Sequence, residues 1–381
     1  HLVLRDVLDK YQYLSKQDRA FMTRLVDGTI EYMLQLDYII DSFSKTKVRK
    51  MKPFIRNLLR MSVYQIKYMD AVPDSAVCNE AVKLAKRHKF AQLSGFVNGV
   101  LRNIARNIDL VQFDTLSIRY SMPQWIVDRF VSEYGEKKAE EIFKAFHNKS
   151  TISIRTNLTR CTPDELRAKL EAEGVTVTAV DELDYAFVIS GFDYLNGLQS
   201  FRDGLFYVQD ISSMLVAQTA APKKGDYVID VCAAPGGKST HIAELLQGSG
   251  HVLARDMTDN KVDMIEENIE RHGLNNMSAE VWDATVPDAD SAGKADILIC
   301  DLPCSGLGVL GRKKDIRYKM TPESVDELAA LQRQILDTVH TYVKTNGVLV
   351  YSTCTIDEAE NEDNVRWFIE KHPEFELDKS F

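Results

Sequence analysis

Two cysteines stand just beyond two separate apolar runs. Asp301-Leu302-Pro303-Cys304-Ser305-Gly306 follows Ala295 to Cys300, and Ser352-Thr353-Cys354-Thr355 follows Gly347 to Tyr351. Upstream lies a glycine-rich turn, Asp230-Val231-Cys232-Ala233-Ala234-Pro235-Gly236-Gly237-Lys238. A free cysteine is most often a small buried hydrophobe, and Cys78, Cys161, Cys232 and Cys300 read that way. Cys304 and Cys354 differ, because both fall at strand ends, where open α/β sheets place reactive groups. Pro303 fixes φ and removes one backbone donor, which stiffens the loop that presents Cys304. A thiolate beside a bound methyl donor can add to C6 of a pyrimidine and make C5 reactive toward the methyl group.

The turn lacks G-x-G-x-x-G and Walker spacing, which argues against a dinucleotide or a nucleoside triphosphate. Pro235-Gly236-Gly237 still lets a ligand approach the backbone closely. Asp256 sits just past the next strand, where an acid meets a ribose hydroxyl pair. Asp283 ends a third apolar segment, within reach of an adenine. A ribose–adenine ligand without a diphosphate fits S-adenosyl-L-methionine (SAM). The expected cofactor-binding residues are Cys232, Ala233, Ala234, Pro235, Gly236, Gly237, Lys238, Asp256, Asp283 and Asp301. Cytosine C5 is a poor nucleophile unaided, so an acid must act at N3 or N4 while a thiolate adds at C6. Asp301 is the natural partner for that edge of the base. The six cysteines show no C-x-x-C and no metal-ligand spacing, so no metal is expected.

These residues need an α/β scaffold, and the pattern supplies one from Phe206 onward. Tyr227 to Val231 is apolar and β-branched, as a buried parallel strand should be. A helix over Gly237 to Gln247, a strand over His251 to Ala254 and a helix over Asn260 to His272 follow. Ala295 to Cys300 and Val348 to Tyr351 read as two more strands, with a helix over Pro322 to Lys344 between them. This alternation implies a doubly wound parallel sheet, Rossmann-like, with ligands at the carboxyl ends of the strands. The chain stops soon after a helix over Ala359 to Lys371. That is early for a sheet of this class, so the domain is expected to lack its C-terminal end.

Residues 1–112 read as all helix. Met22, Leu25, Val26, Ile30, Met33, Leu36 and Ile40 recur at three and four, as on one helical face. Pro53 can open a second helix, Asp74 or Ser75 can cap a third running to about Lys89, and Phe96 to Ile104 mark a fourth. Residues 113–205 are mixed: helices around Trp125 to Val131, Glu140 to Phe146 and Pro163 to Glu173, with strands over Thr151 to Thr156, Val175 to Thr178 and Ala186 to Ile189. The expected architecture is therefore multidomain: an all-α bundle over 1–112, a small α+β subdomain over 113–205, and the α/β domain over 206–381.

The 381 residues carry a net charge of −9, spread unevenly. Residues 1–112 hold 19 Lys and Arg against 11 Asp and Glu, while the remainder holds 28 against 45. That asymmetry suggests a basic docking module joined to an acidic body. No run is long enough to span a membrane, and no secretory leader is visible, so a cytoplasmic location with reduced thiols is expected.

Asp301 to Gly306 with Thr353-Cys354 resembles the NOP/Sun family of RNA cytosine-5 methyltransferases. Gly204-Leu205-Phe206-Tyr207-Val208-Gln209-Asp210 and Asp315-Ile316-Arg317-Tyr318 match as well. Asp18-Arg19-Ala20-Phe21 to Gly28, and Phe96-Val97-Asn98-Gly99-Val100-Leu101-Arg102, resemble a NusB-like RNA-binding domain. The combination is similar to the bacterial enzymes of that family that act on 16S rRNA, and the resemblance covers nearly the whole chain. It implies that Cys354 is the nucleophile and that Cys304 assists product release. It further implies a monomer using SAM to form 5-methylcytosine in free or partly assembled small-subunit 16S rRNA. Arg155, Lys86, Arg87, Lys89 and Arg102 are the expected RNA contacts. Two alternatives stay open: the same chemistry on tRNA or another rRNA site, and a NusB-like RNA-binding assembly factor whose methyltransferase domain is vestigial.

Overall fold

The computed structural model describes residues 2–11, 13–148 and 151–378. The chain divides into two compact units, 1–148 with 309–321, and 149–308 with 322–381.

The first unit is helical: Leu2–Lys10, Lys16–Glu31, Met33–Phe43, Pro53–Tyr68, Asp74–Arg87 and Ser94–Asn107, then Gln124–Tyr134 and Glu136–Ala145. Leu36, Ile39, Ile40, Ile55, Leu59, Val63, Val97, Leu101 and Ile104 form one core, each less than 2 % exposed. Pro53 is the first residue of its helix, as expected. The third helix opens at Asp74, but neither Asp74 nor Ser75 caps it, since Pro73 holds that position. The apolar periodicity from Met22 to Ile40 belongs to two helices, not one, because the backbone breaks at Tyr32. Tyr32 stacks on Tyr68 with ring centroids 4.3 Å apart, so a tertiary contact, not a glycine or proline, marks the break. Gly28 is required where the Lys16–Glu31 helix meets Pro53–Tyr68: a Cβ there would lie 2.0 Å from the Tyr64 ring.

The segment 309–321 belongs to this helical unit although it follows the Cys304 loop in sequence. Arg317 is fully buried on a short helix, Ile316–Lys319. Its guanidinium donates to the carbonyls of Leu310 at 3.0 Å and of Glu31 and Ser121, both at 3.4 Å. Lys314 pairs with Glu31 at 2.6 Å.

The second unit holds two sheets. The smaller is antiparallel and contains β1 (Ile152–Thr156), β2 (Thr176–Val180), β3 (Leu183–Ser190) and β4 (Phe206–Val208), in the order β2-β3-β1-β4. The boundary drawn at residue 205 falls just before β4, so the small sheet takes its edge strand from beyond it. The helix Pro163–Ala172 crosses this sheet and opens on a full capping box between Thr162 and Glu165.

The larger sheet is parallel: β5 (Tyr227–Asp230), β6 (His251–Asp256), β7 (Met277–Val281), β8 (Ala295–Asp301) and β9 (Val343–Ser352), in the order β7-β6-β5-β8-β9. The winding reverses between β5 and β8, which opens a crevice at their carboxyl ends. Helices Gly237–Leu245, Asp259–His272, Pro322–Val339 and Glu362–Lys371 supply the connections and flanks. The helix expected to run from Pro322 to Lys344 stops at Val339, and the strand begins at Val343. Asn346, at φ 65°, bulges this strand where its register against β8 shifts, which disguises its first half as a turn.

Candidate active site

The glycine-rich turn follows β5 and leads into the helix Gly237–Leu245. Gly236 adopts φ 100°, a conformation that favours glycine, and stands at the N-cap of that helix. Asp230, at the end of β5, accepts from the Ser239 hydroxyl at 2.5 Å and the Cys232 N–H at 3.4 Å. Burial pushes its carboxyl up to about 7, against the Ser239 bond, and the charge of Asp301 adds to the rise.

Asp256 ends β6 and is almost fully buried. Its carboxylate accepts the Ala234 N–H at 3.0 Å, the Met257 N–H at 2.8 Å and the Lys261 ammonium at 2.8 Å. It therefore also fixes the turn that sequence alone assigned to the ligand. Asp283 lies two residues past β7 and is exposed. Its carboxyl is held below the usual range by the Thr285 backbone N–H and hydroxyl. The residues along these strand ends are carboxylates and backbone amides, with Lys238 and Lys261 both already on carboxylates. That chemistry suits a cationic sulfonium nucleoside and would repel a diphosphate.

The two cysteines come together because β8 and β9 are in register. Asp301 pairs with Ser352, and the Leu302 N–H continues the ladder to the Ser352 carbonyl at 3.2 Å. Cys304 and Cys354 lie three and two residues beyond that pair. Their sulfurs are 3.0 Å apart, and the Cys354 N–H donates to Cys304 Sγ at 3.2 Å. Cys354 is the more exposed of the two. The hydrogen bond with the Cys354 thiol pushes the Cys304 thiol well up, burial adds to that, and the N–H groups of Cys354 and Gly306 work the other way. Cys304 thus rests as a protonated thiol beside an accessible sulfur.

Asp301 faces the same crevice. Lys238 Nζ sits 2.5 Å from one carboxylate oxygen, and the Ser352 hydroxyl donates to the other at 2.8 Å. Both oxygens are oriented, and 29 % of the side chain stays exposed, enough for a base edge to reach it.

A buried polar cluster behind the cysteine loops was missed from the sequence. Glu360 is fully buried and accepts from Ser305 through both its N–H, at 2.9 Å, and its hydroxyl. Gln332, also fully buried, donates to Glu360 at 2.9 Å and to the Pro303 carbonyl at 2.8 Å. The sequence signal was there: a glutamine inside the apolar stripe of Pro322–Val339, and a Glu-Asn pair six residues past Cys354.

Arg155 is not an RNA contact. It is 1 % exposed, with its guanidinium on the Glu244 carboxylate at 2.9 Å, the Gly237 carbonyl at 2.9 Å and Thr240 Oγ1 at 3.2 Å. Alternation on β1 turned it inward, where Glu244 supplies the opposite charge. In the helical unit, Lys86, Arg87, Lys89 and Arg102 are all exposed, at the ends and outer faces of Asp74–Arg87 and Ser94–Asn107.

Three family models match successive parts of the chain. Residues 1–106 match the NusB family, 122–192 match the ferredoxin-like domain of RsmF/B-like methyltransferases, and 217–380 match the 16S rRNA methyltransferase RsmB/F. A probable ribosomal RNA small subunit methyltransferase B from Bacillus subtilis (strain 168) is 38% identical over 100% of this chain and 86% of its own length. The chain belongs to the ribosomal RNA small subunit methyltransferase B family. Among solved structures, PH0851 is similar with a TM-score of 0.85 and 25% identity, covering 99% of this chain and 87% of that one. NSun6 from Pyrococcus horikoshii with SFG is similar with a TM-score of 0.59 and 25% identity, over 65% of this chain and 87% of that one. The resemblance read from the two cysteine motifs and the NusB-like helices is therefore correct at the level of the family.

Proposed function

We propose that this chain forms 5-methylcytosine in 16S rRNA through a covalent bond between Cys354 Sγ and C6 of the base. The carrying observation is the pair of sulfurs 3.0 Å apart beside an oriented Asp301, at the switch point of the parallel sheet. Cys232 to Gly237, Asp256 and Asp283 would hold SAM, which supplies an electrophilic methyl group. A relative solved with SFG, a SAM analogue, and the names of the RsmB relatives support the donor and the RNA.

Cys354 Sγ gives up its proton and bonds C6, and the displaced π pair runs toward N3, the edge of the base that Asp301 would orient and to which it would relay a proton. C5 then takes the methyl group. A water acting as base takes the C5 proton, the C5–H electron pair restores the C5–C6 double bond, and Cys354 leaves as the thiolate. Cys304, 3.0 Å from the departing sulfur, assists this last step. The target cytosine must leave its stack to reach the crevice. The deciding experiment is methyl transfer from labelled SAM to protein-free 16S rRNA, to assembled small subunits and to tRNA, with the product base identified by digestion. Label in 5-methylcytosine of the free RNA supports the reading. Label only in tRNA, or in another base, overturns it.

A further inference from the structure

Glu360 and Asn361 are adjacent in sequence, and each reaches a different cysteine loop. Glu360 accepts the N–H and hydroxyl of Ser305, and its partner Gln332 donates to the Pro303 carbonyl at 2.8 Å. The residues on both sides of Cys304 are thereby held. Asn361 accepts the Thr353 hydroxyl at 2.7 Å and donates to the Thr355 carbonyl at 3.2 Å. The residues on both sides of Cys354 are held as well. Ser305 Oγ and Thr355 Oγ1, 3.0 Å apart, join the two loops directly.

We propose that Glu360 and Asn361 are positioning residues that set the distance between the Cys304 and Cys354 sulfurs. Neither touches the crevice chemistry itself. A carboxylate with three donors converging on it, fully buried, gives strong and directional bonds, because the low local dielectric leaves no water to replace them. The sheet ladder stops at Leu302, and beyond it only single bonds join the loops, such as the Gly308 N–H on the Cys354 carbonyl at 3.2 Å, so side-chain anchors set their alignment. The consequence for turnover rests on the function proposed above; the thiol geometry does not.

The test reads that geometry without RNA or SAM. An azodicarboxamide oxidant takes the two thiol hydrogens of Cys304 and Cys354 onto its N=N bond, leaving a hydrazine and a disulfide. The sulfurs need approach by only about 1 Å to bond. Full-length wild-type, Glu360→Gln and Asn361→Ala are treated, and the Cys304–Cys354 disulfide is followed by peptide mass spectrometry. Cys354 alkylation by iodoacetamide in a Cys304→Ser background is followed in parallel. Both variants should close the disulfide about tenfold more slowly, with the alkylation rate unchanged, as expected for lost alignment. Should Glu360→Gln fail to fold, Asn361→Ala, at a partly exposed site, decides alone. Closure at the wild-type rate, or alkylation that slows in proportion, overturns the proposal.

Discussion

The backbone N–H of Cys354 donates to Cys304 Sγ at 3.2 Å while the two sulfurs stand 3.0 Å apart. One cysteine thus sees the other through both its side chain and its main chain. Replacing either changes the environment of its partner, so the two substitutions must be read by kind and not only by size.

Cys354→Ser should abolish methyl transfer while SAM affinity stays near that of the wild type. Cys304→Ala should permit attack and methylation but slow elimination. It should therefore trap a protein–RNA complex that survives denaturing electrophoresis and carries the methyl label. The double variant should trap nothing. If Cys354→Ala is the variant that traps RNA, the two roles are reversed.

Asp256 anchors the turn through Ala234, accepts the N–H of its neighbour Met257 and pairs with Lys261. Asp256→Ala removes charge-assisted bonds worth about 1.5–3 kcal/mol each at most. Calorimetry should show SAM affinity lower by about an order of magnitude or more; an unchanged affinity would remove Asp256 from the donor site.

Arg155 and Glu244 form an ion pair whose side chains are 1 % and 2 % exposed. Arg155→Met leaves Glu244 buried without its cation, a loss of about 3–5 kcal/mol in urea unfolding. RNA affinity of the folded variant should be unchanged, whereas a surface contact would give the opposite pattern.

Lys86, Arg87, Lys89 and Arg102 are exposed in the helical unit. If they meet phosphates, exchanging all four for glutamine should shrink the slope of log affinity against log salt. The change is up to about 0.9 per lost contact on a duplex and about 0.7 on a single strand. An identical slope would mark these charges as merely solvated.

Asp230 is pushed from 3.8 up to about 7 by burial. Between those values the folded chain holds a proton that the unfolded chain has lost. The stability this group contributes is complete below pH 3.8 and is lost as pH rises through about 7. Asp230→Asn should remove that dependence, a difference of up to about 1.4 kcal/mol per pH unit within the window. Urea titrations of both proteins across it would show parallel curves if Asp230 were ionised throughout.

The parts of this fold that could be read from sequence are those written in local periods. β5 and β8 are continuous apolar runs, the Pro-Gly-Gly turn interrupts them, and Pro53 opens its helix, so strand ends and site loops fell where expected. What stayed hidden depends on partners distant in the chain. Tyr32 breaks a helix by stacking on Tyr68, 36 positions away. Arg155 reads as a surface cation until Glu244, 89 positions on, arrives beside it. β4 is three residues long and exists because β1 offers it an edge. Glu360 lies in an acidic stretch that offers no local sign of burial, and only the fold reveals that it is fully buried against Ser305 and Gln332.

The helical unit takes in residues 309–321, which enter directly after the Pro-Cys loop and return to the sheet unit at Pro322. Gene fusion usually joins modules at one seam, and either half can then be borrowed or discarded. Here the inserted segment is tied into the helical unit itself, with the Arg317 guanidinium on the carbonyls of Glu31 and Ser121. A truncation to residues 149–381 would keep 309–321 but remove the Glu31 and Ser121 carbonyls, leaving the Arg317 guanidinium to water and its segment without the core it packs into. Because both acceptors are main-chain carbonyls, a substitution at Glu31 or Ser121 leaves them in place, whereas a cut at the chain position between the units removes them together.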